Sequence, residues 1–241
     1  MKSMKLNTFI LLLTLLLSCK EYQTFKLVEY DVKRLDLAKP QSIFYSVWDT
    51  AYFLATQDGI IAKLDTNFNV LAKREFYNES FQYIYADEVF VYAISEKELI
   101  TLLKNNFEVK NKVTLAKLGL KQYRIVGFYF NTLSKTFDFV VSKTKLSNFQ
   151  YNPTNFKKVK TQRIGQGAQV ENAFQFSKYL LLIDNEKKTI QVCDISQNFS
   201  VSKTFKFIGT DFSSGTFFNP NTLVLLSGET RRVFKYHINL K

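Results

Sequence analysis

Histidine and cysteine are almost absent from this chain of 241 residues, which narrows the chemistry it can perform. His237 is the one histidine, and Cys19 and Cys193 are the two cysteines. Zinc centres need several such ligands, and a serine or cysteine nucleophile needs a base beside it. The sequence therefore predicts no catalytic residue, no metal ligand and no cofactor, and we expect His237 to be a structural or surface residue in a chain that is not an enzyme.

Glycine and proline are also scarce, with 8 and 3 copies, whereas the chain has 24 phenylalanines and 13 tyrosines. Aromatic residues suit the half-buried surface of a pleated sheet, so this composition favours β-structure. Gly165-Gln166-Gly167 is the only glycine pair at G-x-G spacing, and it lacks the third glycine and the strand-helix context of a phosphate-binding loop. We expect it to be an ordinary loop between strands.

The first 18 residues have the layout of an export signal. Lys2 and Lys5 precede an apolar run, Thr8 to Leu17, and Ser18 follows before Cys19. A bilayer core needs about 20 apolar residues, so this run is too short to remain as a membrane helix. We therefore interpret residues 1–18 as a removable leader.

Leu16-Leu17-Ser18-Cys19 resembles a lipobox, the site at which bacterial lipoproteins are acylated and cleaved. The resemblance implies that the mature protein begins at Cys19, carries palmitate-type chains there, and is held to a membrane by a short tether, residues 19–24. Several acyl chains on one residue anchor a protein firmly, whereas a single chain does not. With its lysine-, asparagine- and phenylalanine-rich composition, the chain is similar to spirochaetal lipoproteins of the cell envelope.

The resemblance also bears on location and on the second cysteine. Lys20 replaces the aspartate that resembles an inner-membrane retention signal, which favours the outer membrane and leaves the periplasmic or surface face open. A lipidated Cys19 leaves Cys193 without an intramolecular partner. Cys193 lies in the apolar stretch from Thr189 to Ile195, so we expect a buried strand residue and no disulfide.

Lysine and arginine outnumber the acids, 33 to 21, and removal of the leader leaves 31 bases. Export makes nucleic acid an improbable partner, so the charge points to anionic lipid, an acidic polysaccharide or an acidic protein. An AT-rich genome that favours lysine codons is the alternative explanation.

Two internal markers recur with a period of about forty residues. One is an Asn-Phe pair, at Asn67-Phe68, Asn106-Phe107, Asn155-Phe156 and Asn198-Phe199. The other is an apolar strand that ends in a small polar residue, at Tyr52–Thr56, Phe90–Ser95, Phe137–Ser142, Tyr179–Asp184 and Thr222–Ser227. The flanking sequence of each repeat predicts a first strand, a hairpin and a fourth strand, and the fourth strand of the second repeat is predicted at Lys112–Leu118. Four antiparallel strands per forty residues are typical of a propeller blade.

The sequence therefore predicts an all-β fold, a single propeller domain over residues 25–241 with five four-stranded blades. The last repeat ends after its third strand, and an orphan strand from Phe25 to Leu35 can pair with Val233–Leu240 to close the ring. A six- or seven-bladed ring shared with another chain, or an open solenoid, remains as an alternative. The oligomeric state stays open.

The repeats resemble, in pattern only, the propellers of bacterial envelope proteins, including a lipoprotein that scaffolds outer-membrane assembly. The resemblance implies a non-enzymatic, membrane-anchored scaffold that binds other proteins. The alternatives are a surface adhesin that binds a host polyanion or host protein, and, ranked below it, a hydrolase with carboxylates in the central channel.

Hairpins between the second and third strands provide the candidate binding residues. Six bases lie in the last three of these hairpins: Lys143, Lys145, Lys187, Lys188, Arg231 and Arg232. Acids lie in the first two, at Asp58, Glu96 and Glu98. If all five hairpins share one face, the bases form an arc suited to an acidic partner. Ordinary solubility chemistry of hairpin residues is the alternative explanation.

A long loop predicted from Ser147 to Lys158 carries Phe149 and Tyr151. Exposed aromatic rings in such a loop can anchor a partner, so these two residues are further candidates for binding. Folding of both rings back onto the blade is the alternative.

Overall fold

The computed structural model describes residues 24–164 and 169–240, and within them it is an all-β protein, as predicted. The strands are β1 (Thr24–Lys26), β2 (Val28–Arg34), β3 (Pro40–Ser46), β4 (Ala51–Thr56), β5 (Ile60–Leu64), β6 (Val70–Glu75), β7 (Phe81–Ala86), β8 (Phe90–Ser95), β9 (Glu98–Leu103), β10 (Val109–Thr114), β11 (Arg124–Asn131), β12 (Thr136–Ser142), β13 (Leu146–Tyr151), β14 (Lys158–Arg163), β15 (Asn172–Phe176), β16 (Tyr179–Asp184), β17 (Thr189–Asp194), β18 (Ser200–Lys206), β19 (Ser214–Asn219), β20 (Thr222–Ser227) and β21 (Arg232–His237). One 3-10 turn, Ile195–Gln197, lies before β18.

Some sequence predictions fall outside these residues. They are the leader, the lipidation site Cys19 with residues 20–23, and the glycine pair Gly165-Gln166-Gly167. No helix in the described part of the chain is long and apolar enough to cross a bilayer.

Consecutive strands form four-stranded antiparallel units, which we number in chain order. Units 1 to 5 are β3-β4-β5-β6, β7-β8-β9-β10, β11-β12-β13-β14, β15-β16-β17-β18 and β19-β20-β21-β2. A parallel contact between Gly127 of β11 and Ala173 of β15 joins units 3 and 4 into one larger sheet, and β1 adds an outer strand to unit 4. The arrangement is propeller-like.

The first strands of the units contact one another at the centre. β3, β7, β11, β15 and β19 touch in that order, and β19 touches β3 again. The backbone N–H of Ile43 donates to Ser214 Oγ at 3.2 Å across this last junction. The backbones of β11 and β15 come so close at Gly127 that only glycine fits there. A Cβ on Gly127 would lie 2.4 Å from the carbonyl oxygen of Ala173.

The second strands lie where the sequence predicts them, and the structure explains their polar last residue. β8, β16 and β20 have the predicted bounds, and β4 and β12 begin one residue earlier. In four of the five strands, all but β12, the final side chain accepts a hydrogen bond from the backbone that follows. Ile60 N donates to Thr56 Oγ1 at 2.9 Å, and Lys187 N donates to Asp184 Oδ1 at 2.9 Å. The apolar run builds the strand, and its polar end fixes the turn.

The Asn-Phe pairs mark the connection from the third to the fourth strand. Phe68, Phe107, Phe156 and Phe199 all have left-handed backbone angles, with φ of 67°, 56°, 53° and 59°. A bulky residue rarely adopts this conformation. The rings of Phe68, Phe107 and Phe199 are buried, so packing holds the strained turn in place.

One predicted fourth strand, Lys112–Leu118, is placed wrongly. The strand is β10, which ends at Thr114, because the chain then turns: Leu118 N donates to the carbonyl oxygen of Thr114 at 3.2 Å and Gly119 has a φ of 69°. The apolar residues that suggested a strand, Leu115 and Leu118, are buried in the connection instead.

The N-terminal segment closes the last unit as predicted, but it forms two strands. β2 runs antiparallel to β21, from Val28 opposite His237 to Arg34 opposite Arg232. The single strand predicted from residue 25 is wrong, because β1 pairs in parallel with β18 of unit 4 and already includes Thr24, which we expected in the tether. Leu27 separates the two strands, is buried, and donates its N–H to the carbonyl oxygen of Lys206 at 3.0 Å.

Candidate functional site

The hairpins between second and third strands lie on one side of the ring, which we call the hairpin face. Neighbouring first strands run in the same direction, as the parallel pairing of β11 with β15 shows, so equivalent hairpins emerge together. The hairpins span 57–59, 96–97, 143–145, 185–188 and 228–231. The six candidate bases lie in the last three or, for Arg232, at the start of the adjoining strand. The opposite side carries the turns between first and second strands, and we call it the turn face.

Two of the six bases are already engaged by acids of the same protein. Lys187 Nζ lies 3.2 Å from Asp184 Oδ2, and Lys188 Nζ pairs with Asp211 Oδ1. An exposed ion pair contributes about 0–1 kcal/mol, so these contacts are weak, but they reduce the positive field of the unit 4 hairpin. Sequence spacing could not reveal the pair with Asp211, which comes from the connection before β19.

The other four bases remain available on the hairpin face. Lys143, Lys145, Arg231 and Arg232 are exposed, and none forms an ion pair within residues 24–164 and 169–240. Arg232 also lies opposite Arg34 of β2 in the strand register, which places a further base beside it. The positive charge is therefore concentrated in two places, over unit 3 and over unit 5.

The acids of the first two hairpins are partly occupied. Glu98 Oε2 lies 3.2 Å from Lys112 Nζ, and Asp58 accepts a hydrogen bond from the Thr56 hydroxyl inside its own hairpin. Both contacts are local, so these acids act as turn and edge residues of units 1 and 2.

A depression of about 720 Å³ lies on the hairpin face. Its charged lining is mixed, with Lys39 and Arg231 against Glu171, Asp211 and Glu229. Asn185 fixes part of the wall, because it exchanges two 3.0 Å hydrogen bonds with the backbone of Phe212. The charged side chains of the depression therefore have no dominant sign.

The centre of the ring is narrow. A cavity of about 30 Å³ lies between the first strands, about the room of one water molecule, and it is lined by Ser42, Ser214 and Thr216 among mainly apolar neighbours. The five first strands contain no aspartate or glutamate. The hydrolase alternative requires carboxylates in the central channel, and these five strands supply none.

Phe149 and Tyr151, the candidate aromatic anchors, are not available to a partner. Both belong to β13 and are only 5% and 1% exposed, because they pack into the core of unit 3. The Tyr151 hydroxyl donates to the carbonyl oxygen of Leu118 at 2.6 Å. The predicted long loop is correspondingly short, since β13 occupies its first half and only residues 152–157 connect β13 to β14.

Cys193 and His237 lie in different environments. Cys193 lies in β17 and is fully buried, as predicted, and burial raises the pKa of its thiol to about 12. His237 at the end of β21 is exposed and stacks on the ring of Tyr30, with ring centroids 4.2 Å apart. No group of three or more His, Cys, Asp or Glu side chains that could hold a metal occurs in the described part of the chain.

A buried carboxylate, Asp138 in β12, was not predicted from the sequence. It accepts hydrogen bonds from Asn131, Asn148 and Gln150 through their amide nitrogens at 2.9, 2.6 and 3.1 Å, and from the Thr136 hydroxyl at 2.5 Å. Burial raises the pKa of this carboxyl despite the four donors. An acid inside an apolar strand with amides on the neighbouring strands is the signal that could have identified it.

Solved structures share this fold, although no family model and no curated protein matches the sequence. Glutaminyl cyclase of Myxococcus xanthus aligns with a TM-score of 0.71 and 12% identity, over 90% of this chain and 98% of that one. The β-propeller domain of Cps50 (Swd1) from Myceliophteria thermophila aligns with a TM-score of 0.52 and 10% identity, over 83% of each chain. At these identities the likeness shows a β-propeller-like fold and nothing about activity.

Proposed function

We propose that this protein is a lipid-anchored, five-bladed propeller of the bacterial envelope that binds an acidic protein partner through its hairpin face and catalyses no reaction. The observation that carries the binding role is the set of four exposed bases without ion pairs, Lys143, Lys145, Arg231 and Arg232. Complementary charge on a partner would steer its approach and fix its orientation.

The contacts of the first strands support the proposed number of five blades. Five of them touch in cyclic order, and each begins one four-stranded antiparallel unit. β2 supplies the fourth strand of unit 5, so each unit is complete within one chain. These contacts favour a closed ring of five blades over a ring shared between chains or an open solenoid.

The non-catalytic role is supported by the way titratable groups are distributed. The histidine is at the end of a third strand, the thiol of Cys193 is buried, and the first strands carry no acid. The Myxococcus xanthus structure is that of an enzyme, but the likeness at 12% identity extends to the fold alone. The depression on the hairpin face then serves as part of the docking surface.

Lipid attachment is tested by metabolic labelling with an alkyne analogue of palmitate in cells that express the full chain. We expect label on the wild-type protein and on Cys193→Ala, and none on Cys19→Ser. Cys193→Ala is the matched control because it removes the other thiol of the chain. Label that persists in Cys19→Ser would refute the anchor.

Partner binding is tested by placing a photo-reactive amino acid at Thr144 or Thr230 on the hairpin face, which keeps all four bases, and at Thr50 or Asn221 on the turn face. All four positions are exposed. We expect one defined protein adduct from the hairpin face only, weakened by salt. Equal adducts from both faces would count against the proposal.

Protease treatment of intact cells separates the scaffold from the surface adhesin. A scaffold that faces the periplasm should survive a protease that cannot cross the outer membrane. Digestion in intact cells, together with adducts to a host protein or retention on a polyanion, would support the adhesin instead.

A further inference from the structure

Nearly all of the excess positive charge comes from one stretch of the chain, residues 109–170, which forms β10, unit 3 and their connections. It contains twelve of the 33 bases and one of the 21 acids, Asp138. The rest of the chain has 21 bases and 20 acids. The strongly basic character of the protein is therefore a local property of one side of the propeller.

Little inside the protein offsets this charge. Asp138 is fully buried and surrounded by its own hydrogen-bond donors. Acids outside the stretch pair with Lys110, Lys112 and Arg124. The other nine bases make no ion pair among the described residues: Lys117, Lys121, Lys135, Lys143, Lys145, Lys157, Lys158, Lys160 and Arg163. All nine are exposed.

The outer strand of unit 3, β14, is the centre of this surface, which we call the basic rim and define by Lys157, Lys158, Lys160 and Arg163. β14 pairs with β13 on one side and forms the end of its sheet on the other. Val159 lies among these bases and is 63% exposed. Lys143 and Lys145 lie on the hairpin face of unit 3, and Lys135 lies on its turn face. The positive charge therefore extends across the thickness of the propeller.

Protection of a sheet edge from aggregation is the alternative explanation for lysines on β14. Two of the other outer strands show that protection does not require charge of one sign, because β6 carries Glu75 and β2 carries Glu29 and Asp31 together with their bases. β10 and β18 also lack acids, but nearby acids pair with the lysines of β10, and β1 covers the edge of β18. β14 differs from both, because its bases form no ion pair among the described residues and its edge is the end of the sheet, which favours an anionic partner.

The position of the N-terminal chain indicates which partner. β1 lies on the outer edge of unit 4, the neighbour of unit 3, and Cys19 is five residues before Thr24. Five extended residues reach at most about 18 Å, so a lipid on Cys19 would bring this side of the disc close to its bilayer. A row of exposed bases along one outer strand matches a planar anionic surface better than it matches a small ligand.

We infer that the basic rim of unit 3 docks on anionic lipid headgroups, so that the propeller stands on its edge and the hairpin face is left open to a partner. Its location at the bilayer rests on the lipid anchor proposed above, whereas the affinity of the rim for anionic lipid does not. Lysine and arginine side chains near an anionic membrane each strengthen binding about five-fold.

The test uses the chain from residue 19 with Cys19→Ser, which contains every described strand but cannot be acylated. Co-sedimentation is measured with vesicles of phosphatidylcholine alone or mixed with phosphatidylglycerol. One variant combines Lys158→Gln, Lys160→Gln and Arg163→Gln. The matched control combines Lys33→Gln, Lys73→Gln and Lys97→Gln, three exposed bases on units 5, 1 and 2, and so loses the same net charge.

We expect salt-sensitive binding to the mixed vesicles, and a loss of about 100-fold in the rim variant with little loss in the control. Equal loss in both variants would mean that only total charge matters and would overturn the inference. So would equal binding to phosphatidylcholine alone, or retention of the protein on an acidic polymer with no binding to anionic vesicles. Because no lipid is attached, a failure here leaves the palmitate-labelling result untouched.

Discussion

Ring closure by the N-terminal segment can be tested by removing it. A chain that begins at Asp36 lacks β1 and β2, so β21 loses its outer partner and β18 loses its parallel neighbour. It also lacks Leu27 and Leu35, which are 6% and 3% exposed. The comparison is with the chain from residue 20, which keeps both strands.

The expected loss can be set against ordinary protein stability. Removal of a buried leucine side chain costs about 2–5 kcal/mol, so the two leucines together account for about 4–10 kcal/mol before any strand pairing is counted. Domains unfold with a free energy of about 5–15 kcal/mol. The truncated chain should therefore lose most of its stability and unfold over a broad range of denaturant.

Urea unfolding followed by far-ultraviolet circular dichroism measures this effect, and two variants separate its parts. Leu27→Ala with Leu35→Ala keeps the strands and removes the buried side chains, so it should lose much of the same free energy. Val28→Ala with Val32→Ala alters exposed positions of β2 and should change the midpoint little. A truncated chain with the same midpoint and the same slope as the longer one would refute closure by this segment.

Two further predictions concern buried groups. Because burial raises the pKa of Asp138 in the folded state, its contribution to stability is greatest below the ordinary pKa of about 4 and falls as the pH rises towards the folded pKa. The stability of wild type minus that of Asp138→Asn should therefore be larger at pH 4 than at pH 7 in urea titrations, and a difference that grows with pH would contradict the assignment. Phe199 combines a buried ring with a φ of 59°, so Phe199→Ala should cost about 3–5 kcal/mol, and Phe199→Gly, which relaxes the strained backbone, should cost less. A higher thermal unfolding temperature for Phe199→Ala than for Phe199→Gly would show that the backbone at this position is not strained.

Strands were predictable where two signals coincide. Phe90–Ser95 and Tyr179–Asp184 combine an apolar run with a polar residue that caps the next hairpin, and both have the predicted bounds. The Asn-Phe pairs could be recognised as turns, but the left-handed backbone of Phe107 could not, because packing and not local preference imposes it.

The candidate site was less predictable than the strands. The six bases could be placed from the predicted positions of the hairpins. The ion pair of Lys188 with Asp211 could not be predicted, because Asp211 lies in the connection before β19 and only the folded structure brings the two together. Phe149 and Tyr151 were predicted in an exposed loop but belong to β13. A buried strand and a loop with exposed aromatic residues have similar apolar content, so the sequence did not distinguish them. The acid-free stretch around β14 was visible in the sequence, but its position beside the N-terminal chain was not.

The pairing of Val28 with His237 joins residues 209 positions apart, which has a consequence for the order of folding. Closing so long a loop is slow, because its entropy is lost before the contact is gained. β2 is synthesised early and stays unpaired until β21 is available, with Val28, Tyr30 and Val32 exposed along a free edge. A chain interrupted before residue 232 can build the first four units but cannot complete the fifth. Pairing of β2 with β21 is therefore expected to be a late step of folding.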